Sequence, residues 1–313
     1  MLQWVGAPAP APETCIYNVF ENGQLGSCLH NLQTGARRVL PLPVASVARD
    51  GTKALCINMP RMYDFRPGYG YEELPDPFAQ EAAPSRDGIW LMDLARGSVR
   101  LILTLAQVVE FLEHAGAGPG GAKAMVNHIA FNPSASRFLF LLRTFDWRTF
   151  LVTADATGGH LRNHRVWNYA SHYHWRDDDG MLFYARVADG EGHTHLALIS
   201  DSQGSRRIID AGYFHGDGHC SYSPDRRWIL YDSYPGAAPD YPRALLAYSL
   251  ERRRGFTLGR FASQPQLPES PAWDARCDLH PRWMPGGRSV TFDSIHEGFR
   301  AVYAADLRTL TGR

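Results

Sequence analysis

An all-β fold, a β-propeller of four-stranded blades, is the class this sequence predicts, and three observations predict it. Four segments share a histidine, two residues, an aromatic and a turn: His128-Ile-Ala-Phe131, His172-Tyr-His-Trp175, His219-Cys-Ser-Tyr222 and His280-Pro-Arg-Trp283. Each turn leads into a short β-rich run: FLFLL (138–142), MLFYA (181–185), WILYD (228–232) and SVTFD (289–293). Beyond each hairpin lies a second strand–turn–strand unit, so four strands recur every ~40–50 residues, as in propeller blades.

The elements follow in chain order. Strands around Gln3–Val5 and Cys15–Phe20 precede the pair in GSCLHNLQTGARRVL. Val44-Ala-Ser-Val47 keeps the repeat turn without its histidine and leads into ALCIN (54–58) and GIWLMDLARGSVRLIL. The helix expected at Thr104–His114 is apolar at helical spacing. Three His units follow, then a Pro-rich insertion, FASQPQLPESPAWDAR, that lengthens the interval before the last unit. That last unit, ending AVYAADLRTLTGR, is barely long enough for four strands. Poor alternation in the central runs is the mark of strands buried on both faces. Six units are counted, in one domain spanning 1–313.

Composition limits the function. The 313 residues carry 32 basic and 32 acidic side chains, which argues against a nucleic-acid or anionic-membrane surface as the main partner. A hydrophobic content of 44% supports a large core. No apolar run is long enough to span a membrane. The opening MLQWVGAPAPAPETC lacks the features of an export signal, and five scattered cysteines argue against a disulfide framework. The chain as written is therefore expected in the cytoplasm, with its thiols reduced. No GxGxxG opens a helix, and P-loop, GxSxG and HExxH patterns are absent, so no organic cofactor is expected.

In a propeller the opening residue of each first strand sits near one mouth of the channel. His128, His172, His219 and His280 are accordingly expected near one mouth. The loops between second and third strands rise on the same face. They carry Arg61, Arg66, Tyr69 and Tyr71; Arg143, Asp146 and Arg148; Arg186, Glu191, His193 and His195; Tyr234, Tyr241 and Arg243; and His296, Glu297 and Arg300. Cys277 and His280 lie three residues apart at a strand entrance, and His219 holds the same place one unit earlier. His219, Cys277 and His280 are thus candidate ligands for a divalent metal: zinc if the thiolate takes part, or manganese with oxygen ligands.

GHCSYSPDRRWILYDSYP (218–235), CDLHPRWMPGGRSVTFDSIHEGFRAVYAADL (277–307), NHIAFNP (127–133) and RPGYGY (66–71) resemble the propeller-type polysaccharide lyases. The similarity is to the oligogalacturonate lyases and, more closely, to the propeller-fold ulvan lyases, and it runs over nearly the whole chain. It implies β-elimination on a uronic-acid glycan. It also implies that His219 and His280 fall on metal-binding positions, with Cys277 where the family has Gln and Arg282 where it has a further His. Asn127 and His128 fit the ulvan-lyase pair that contacts carboxylate and proton. Those families have seven blades, so a first blade preceding Met1 is an expectation, and a periplasmic or secreted location with it.

The chemistry needs a neutralised uronate carboxylate, from Arg61, Arg66, Arg282 or a metal, before the C5 proton becomes acidic enough to leave. His128, His172 and Tyr234 are the candidate base and acid. Tyr69 and Tyr71 offer ring faces to sugars. The expected ligand is an acidic oligo- or polysaccharide. A non-catalytic TolB-like propeller that binds a glycan or a protein is the competing reading.

Overall fold

The computed structural model describes residues 2–6, 13–187, 193–234, 242–263 and 277–312. The chain divides into two compact units, Met1–Tyr169 and Ala170–Arg313. Each contributes three antiparallel sheets built as consecutive meanders.

The first unit begins with β1 (Leu2–Val5), β2 (Thr14–Glu21), β3 (Gln24–Asn31) and β4 (Arg37–Leu40). Its second sheet is β5 (Val44–Val47), β6 (Lys53–Ile57), β7 (Gly88–Asp93) and β8 (Val99–Thr104). Its third is β9 (Ala124–Phe131), β10 (Arg137–Thr144), β11 (Thr149–Asp155) and β12 (Arg162–Asn163). The second unit holds β13 (Ala170–Trp175), β14 (Gly180–Ala185), β15 (His195–Ser200) and β16 (Arg206–Ile208). Next come β17 (Cys220–Tyr222), β18 (Trp228–Asp232), β19 (Arg243–Ser249) and β20 (Arg254–Phe261). The last sheet has three strands, β21 (Arg282–Trp283), β22 (Ser289–Ser294) and β23 (Ala301–Asp306). Among the described residues these are five four-stranded sheets and one three-stranded sheet, the six blade units of a β-propeller.

Most of the runs expected to be buried on both faces are so, but SVTFD, in β22, alternates between half-buried and buried residues. Strands β14 and β18 are buried at every residue, and β10 at all but Arg137 and Arg143. Leu55, Ile89, Phe138, Phe140 and Leu142 anchor the main core of the first unit. Leu230, Leu245, Leu279, Val290 and Phe292 form one in the second.

Helix α2 (Leu105–His114) occurs where expected, closed by a capping box between Thr104 and Gln107. Two helical segments depart from the expectation. Helix α1 (Met59–Phe65) opens the β6–β7 connection, with Asn58 as N-cap accepting from the Arg61 backbone N–H. Where a further strand was expected, residues Arg308–Thr311 form the helical turn α3, with Gly312 left-handed at its C-cap. No helix among the described residues is long and apolar enough to cross a membrane.

Candidate functional site

Three of the four motif histidines come together in the second unit. The rings of His172 and His219 are 4.0 Å apart at their centroids, and those of His219 and His280 are 4.2 Å apart. Each imidazole meets a carboxylate through Nδ1: His172 with Asp217 at 3.0 Å, His219 with Asp232 at 3.0 Å and His280 with Asp293 at 3.4 Å. An ionised carboxylate only accepts hydrogen bonds, so it places the proton on Nδ1 and leaves Nε2 as the working nitrogen. The three rings are thus anchored in the same sense.

Local backbone geometry aims these rings. The β13–β14 register shifts between Ala170 and Tyr173, a bulge that contains His172. His280 has φ 41°, a left-handed conformation that histidine tolerates better than β-branched residues. Bulges next to sites re-aim side chains in this way. Gly218 serves His219 differently, since a Cβ there would overlap the Asp232 carbonyl.

Asp232 is the keystone. Its carboxylate is fully buried and accepts from the His219 backbone N–H (2.6 Å), from His219 Nδ1 and from the His280 backbone N–H (3.2 Å). Burial alone would raise its pKa. The His219 hydrogen bonds and charge, with Arg243 nearby, outweigh burial and hold it below the ordinary carboxylate value. His280 is pushed below the usual imidazole value by burial and by its neighbour His219, which favours the neutral form that ligates metals.

Asp278 completes the cluster. Its Oδ2 accepts from the Tyr234 hydroxyl at 3.3 Å, and that hydroxyl lies 3.4 Å from His172 Nε2. Its Oδ1 faces Arg243 Nη2 at 2.5 Å. Arg243 is fully buried, and its guanidinium lies over the Tyr234 ring, 4.2 Å from the centroid. Ligand atoms of His219, Asp278 and His280 all lie within 4.8 Å of one another. Two imidazoles and a carboxylate, with both Nδ1 atoms held from behind by Asp232 and Asp293, fit a divalent ion bound through Nε2 and oxygen.

This corrects the expected ligand set. Cys277 is 1% exposed, its thiol turns to the Asp278 carbonyl, and burial raises its pKa. Neighbouring residues of an extended segment point to opposite sides, so Asp278 takes the place expected of Cys277. An imidazole–carboxylate set admits manganese as well as zinc. Arg282, two residues beyond His280, is exposed on β21.

The remaining candidate catalytic and substrate-binding residues belong to the first unit. His128 sits in a bulge of β9 with φ 47°, the same local device as in the second unit. Asn127 beside it is buried, and its side-chain oxygen has no hydrogen-bond partner among the described residues. Arg66 caps α1 and lies over the Tyr69 ring at 4.4 Å, and Tyr69 is exposed. The Tyr71 hydroxyl accepts from Asn18 at 3.0 Å, which ties the loop to β2.

Arg61 is a second correction. It is 1% exposed and all five of its N–H groups are engaged. They meet Asp76 and the carbonyls of Phe78, Glu81, Ala82 and Ala124 at 2.7–3.0 Å. It has no donor left for a substrate carboxylate and instead staples the long β6–β7 loop. Glu191 and Tyr241 lie outside the described residues.

Asp217, Asp232, Asp278 and Asp293 were missed from sequence. For two of them a signal existed: Asp232 and Asp293 each lie at or next to the end of the second strand, thirteen residues after the motif histidine. His128 and His172 have Leu141 and Ala185 at that offset, and His172 takes Asp217 instead.

No protein-family model and no curated protein matches this chain in sequence. Solved structures do match. An oligogalacturonate lyase in complex with manganese has a TM-score of 0.66 at 16% identity, over 95% of this chain and 75% of that one. The oligogalacturonate lyase of Vibrio parahaemolyticus has 0.67 at 14%, over 98% and 76%. A putative TolB from Agrobacterium tumefaciens has 0.52 at 14%, over 93% and 83%. The likeness is one of fold. At such identities the activity has to be argued from the site itself.

Proposed function

We propose that this protein cleaves a uronic-acid-containing glycan by β-elimination. The observation that carries the reading is the ladder of three Asp-anchored histidine rings beside Tyr234 and Asp278. Elimination needs a base at C5, an acid at O4 and neutralisation of the carboxylate between them. His172, oriented by Asp217 and beside the Tyr234 hydroxyl, supplies one proton-transfer group, and Tyr234 supplies the other. His219, Asp278 and His280 would hold a divalent ion, which when bound supplies Lewis-acid neutralisation of the uronate carboxylate. Exposed Arg282 is a second source of positive charge for the acidic chain.

The test is ultraviolet detection of unsaturated uronate from a panel of uronate polymers. Wild type is expected to form it, and His172→Ala to lose about 10²–10⁴-fold in turnover. His128→Ala in the same assay asks whether the first unit's motif histidine takes part. Binding of a uronate polymer with no unsaturated product would overturn the lyase reading in favour of a glycan-binding propeller.

A further inference from the structure

We infer that the first unit carries a separate saccharide subsite, a cleft beside the C-terminal end of α2 that takes one acidic sugar; its ligand class rests on the function proposed above. The cleft has a volume of about 380 Å³, within the ~300–1,000 Å³ range of ligand sites. Arg148, Phe150, Asn163, Arg165, Trp167 and Asn168 line it, together with the loop that follows α2. Among the described residues, no carboxylate lines it.

The lining divides the work a sugar requires. Arg148 is a fixed wall: its guanidinium is paired with Asp146 at 2.8 Å and bound to the carbonyls of Gly118 and Pro119. Arg165 is exposed at the rim and supplies the guanidinium for a carboxylate. Trp167 offers a ring face, and the two asparagines offer amides to hydroxyls.

The segment is also built at a cost. Arg165, Trp167 and Asn168 have φ of 21°, 40° and 65°, and none is glycine. Such conformations cost roughly 1–3 kcal/mol each and cluster at ligand clamps. Val166, 2% exposed, pins the segment from within, and the Tyr169 N–H to Val166 carbonyl bond closes the turn at 2.9 Å. A plain exit from β12 needs none of this.

The experiment titrates wild type, Arg165→Gln and Trp167→Gly with a short oligogalacturonate, a short oligoglucuronate and a neutral cello-oligosaccharide, alongside the unsaturated-product assay. Glycine adopts φ 40° freely, and Arg165 is exposed, so both variants are expected to fold. Uronate affinity should fall about 10-fold in each variant, while Arg96→Ala, in an exposed ion pair outside the cleft, keeps it. Unchanged affinity in both variants overturns the subsite and leaves the lyase reading standing. Loss of affinity in the variants of a wild type that forms no unsaturated product overturns the lyase reading and keeps the subsite. Equal affinity for the neutral oligosaccharide overturns its acidic specificity, and no binding to wild type overturns the subsite altogether.

Discussion

Arg61 in the first unit and Arg243 in the second are both buried to 1% or less, yet they do opposite things. Arg61 has one carboxylate and four carbonyls around it, so every N–H is used. Arg243 has the Asp278 carboxylate, a ring face and one long bond to the Ser233 carbonyl at 3.4 Å. Its Nε has no hydrogen-bond partner among the described residues. A saturated buried cation is a staple. One left short of partners and hooked to a site carboxylate holds chemistry in place, because its charge is spent on orienting Asp278 and Tyr234.

The largest effect expected from this contrast is on stability. Arg61→Met removes the 2.9 Å ion pair of buried Asp76, leaving it Lys123 at 3.9 Å and hydrogen bonds from Asn58 and Phe78, and should cost about 3–5 kcal/mol in urea unfolding. Arg61→Lys should not rescue it, since an ammonium cannot reach five acceptors in a plane. Arg243→Met should cost less, about 1–3 kcal/mol, but lower turnover on uronate polymer about 10–100-fold. Equal stability losses for the two variants, with turnover intact in Arg243→Met, would break the comparison.

Acid sharpens the contrast between units. His174 in the second unit is lowered by burial to about 4. The unfolded chain therefore binds the extra proton between pH 6.5 and about 4, and stability falls as pH falls through that window. In the first unit burial raises Asp87, despite hydrogen bonds from Asn58 and Gly88. The folded state there takes up the proton first, so stability rises as pH falls through the raised value. Labelling with a pyridyl disulfide, which reacts with thiols in acid, should reach buried Cys220 and Cys277 before Cys56. The reverse order would contradict the assignment.

The smallest effect is the control. Arg96 pairs with Asp93 at 2.9 Å but is 80% exposed, so Arg96→Ala should change stability by less than about 1 kcal/mol.

Much of the architecture was legible in residues. The motif histidines mark the first strands of their sheets, and the apolar runs after each turn are β10, β14, β18 and β22. Helix α1 was hidden because only seven residues long, with Pro60 near its start, it resembles a loop. The final strand failed because Arg308–Thr311 close as a helical turn, with left-handed Gly312 at its C-cap.

Periodicity and turn chemistry are properties of neighbouring residues, so composition, repeat length and the placing of His172, His219 and His280 could be read along the chain. Partners are not neighbours. Whether Cys277 or Asp278 faces the histidines depends on the direction of an extended segment, and one residue reverses it. Whether Arg61 is a ligand or a staple depends on carbonyls from Phe78 to Ala124 that meet it only in the folded chain. The pairing of His172 with Asp217 spans 45 residues. These choices are made by packing, because a buried charge must find its counter-charge wherever the fold brings one, at whatever distance in sequence.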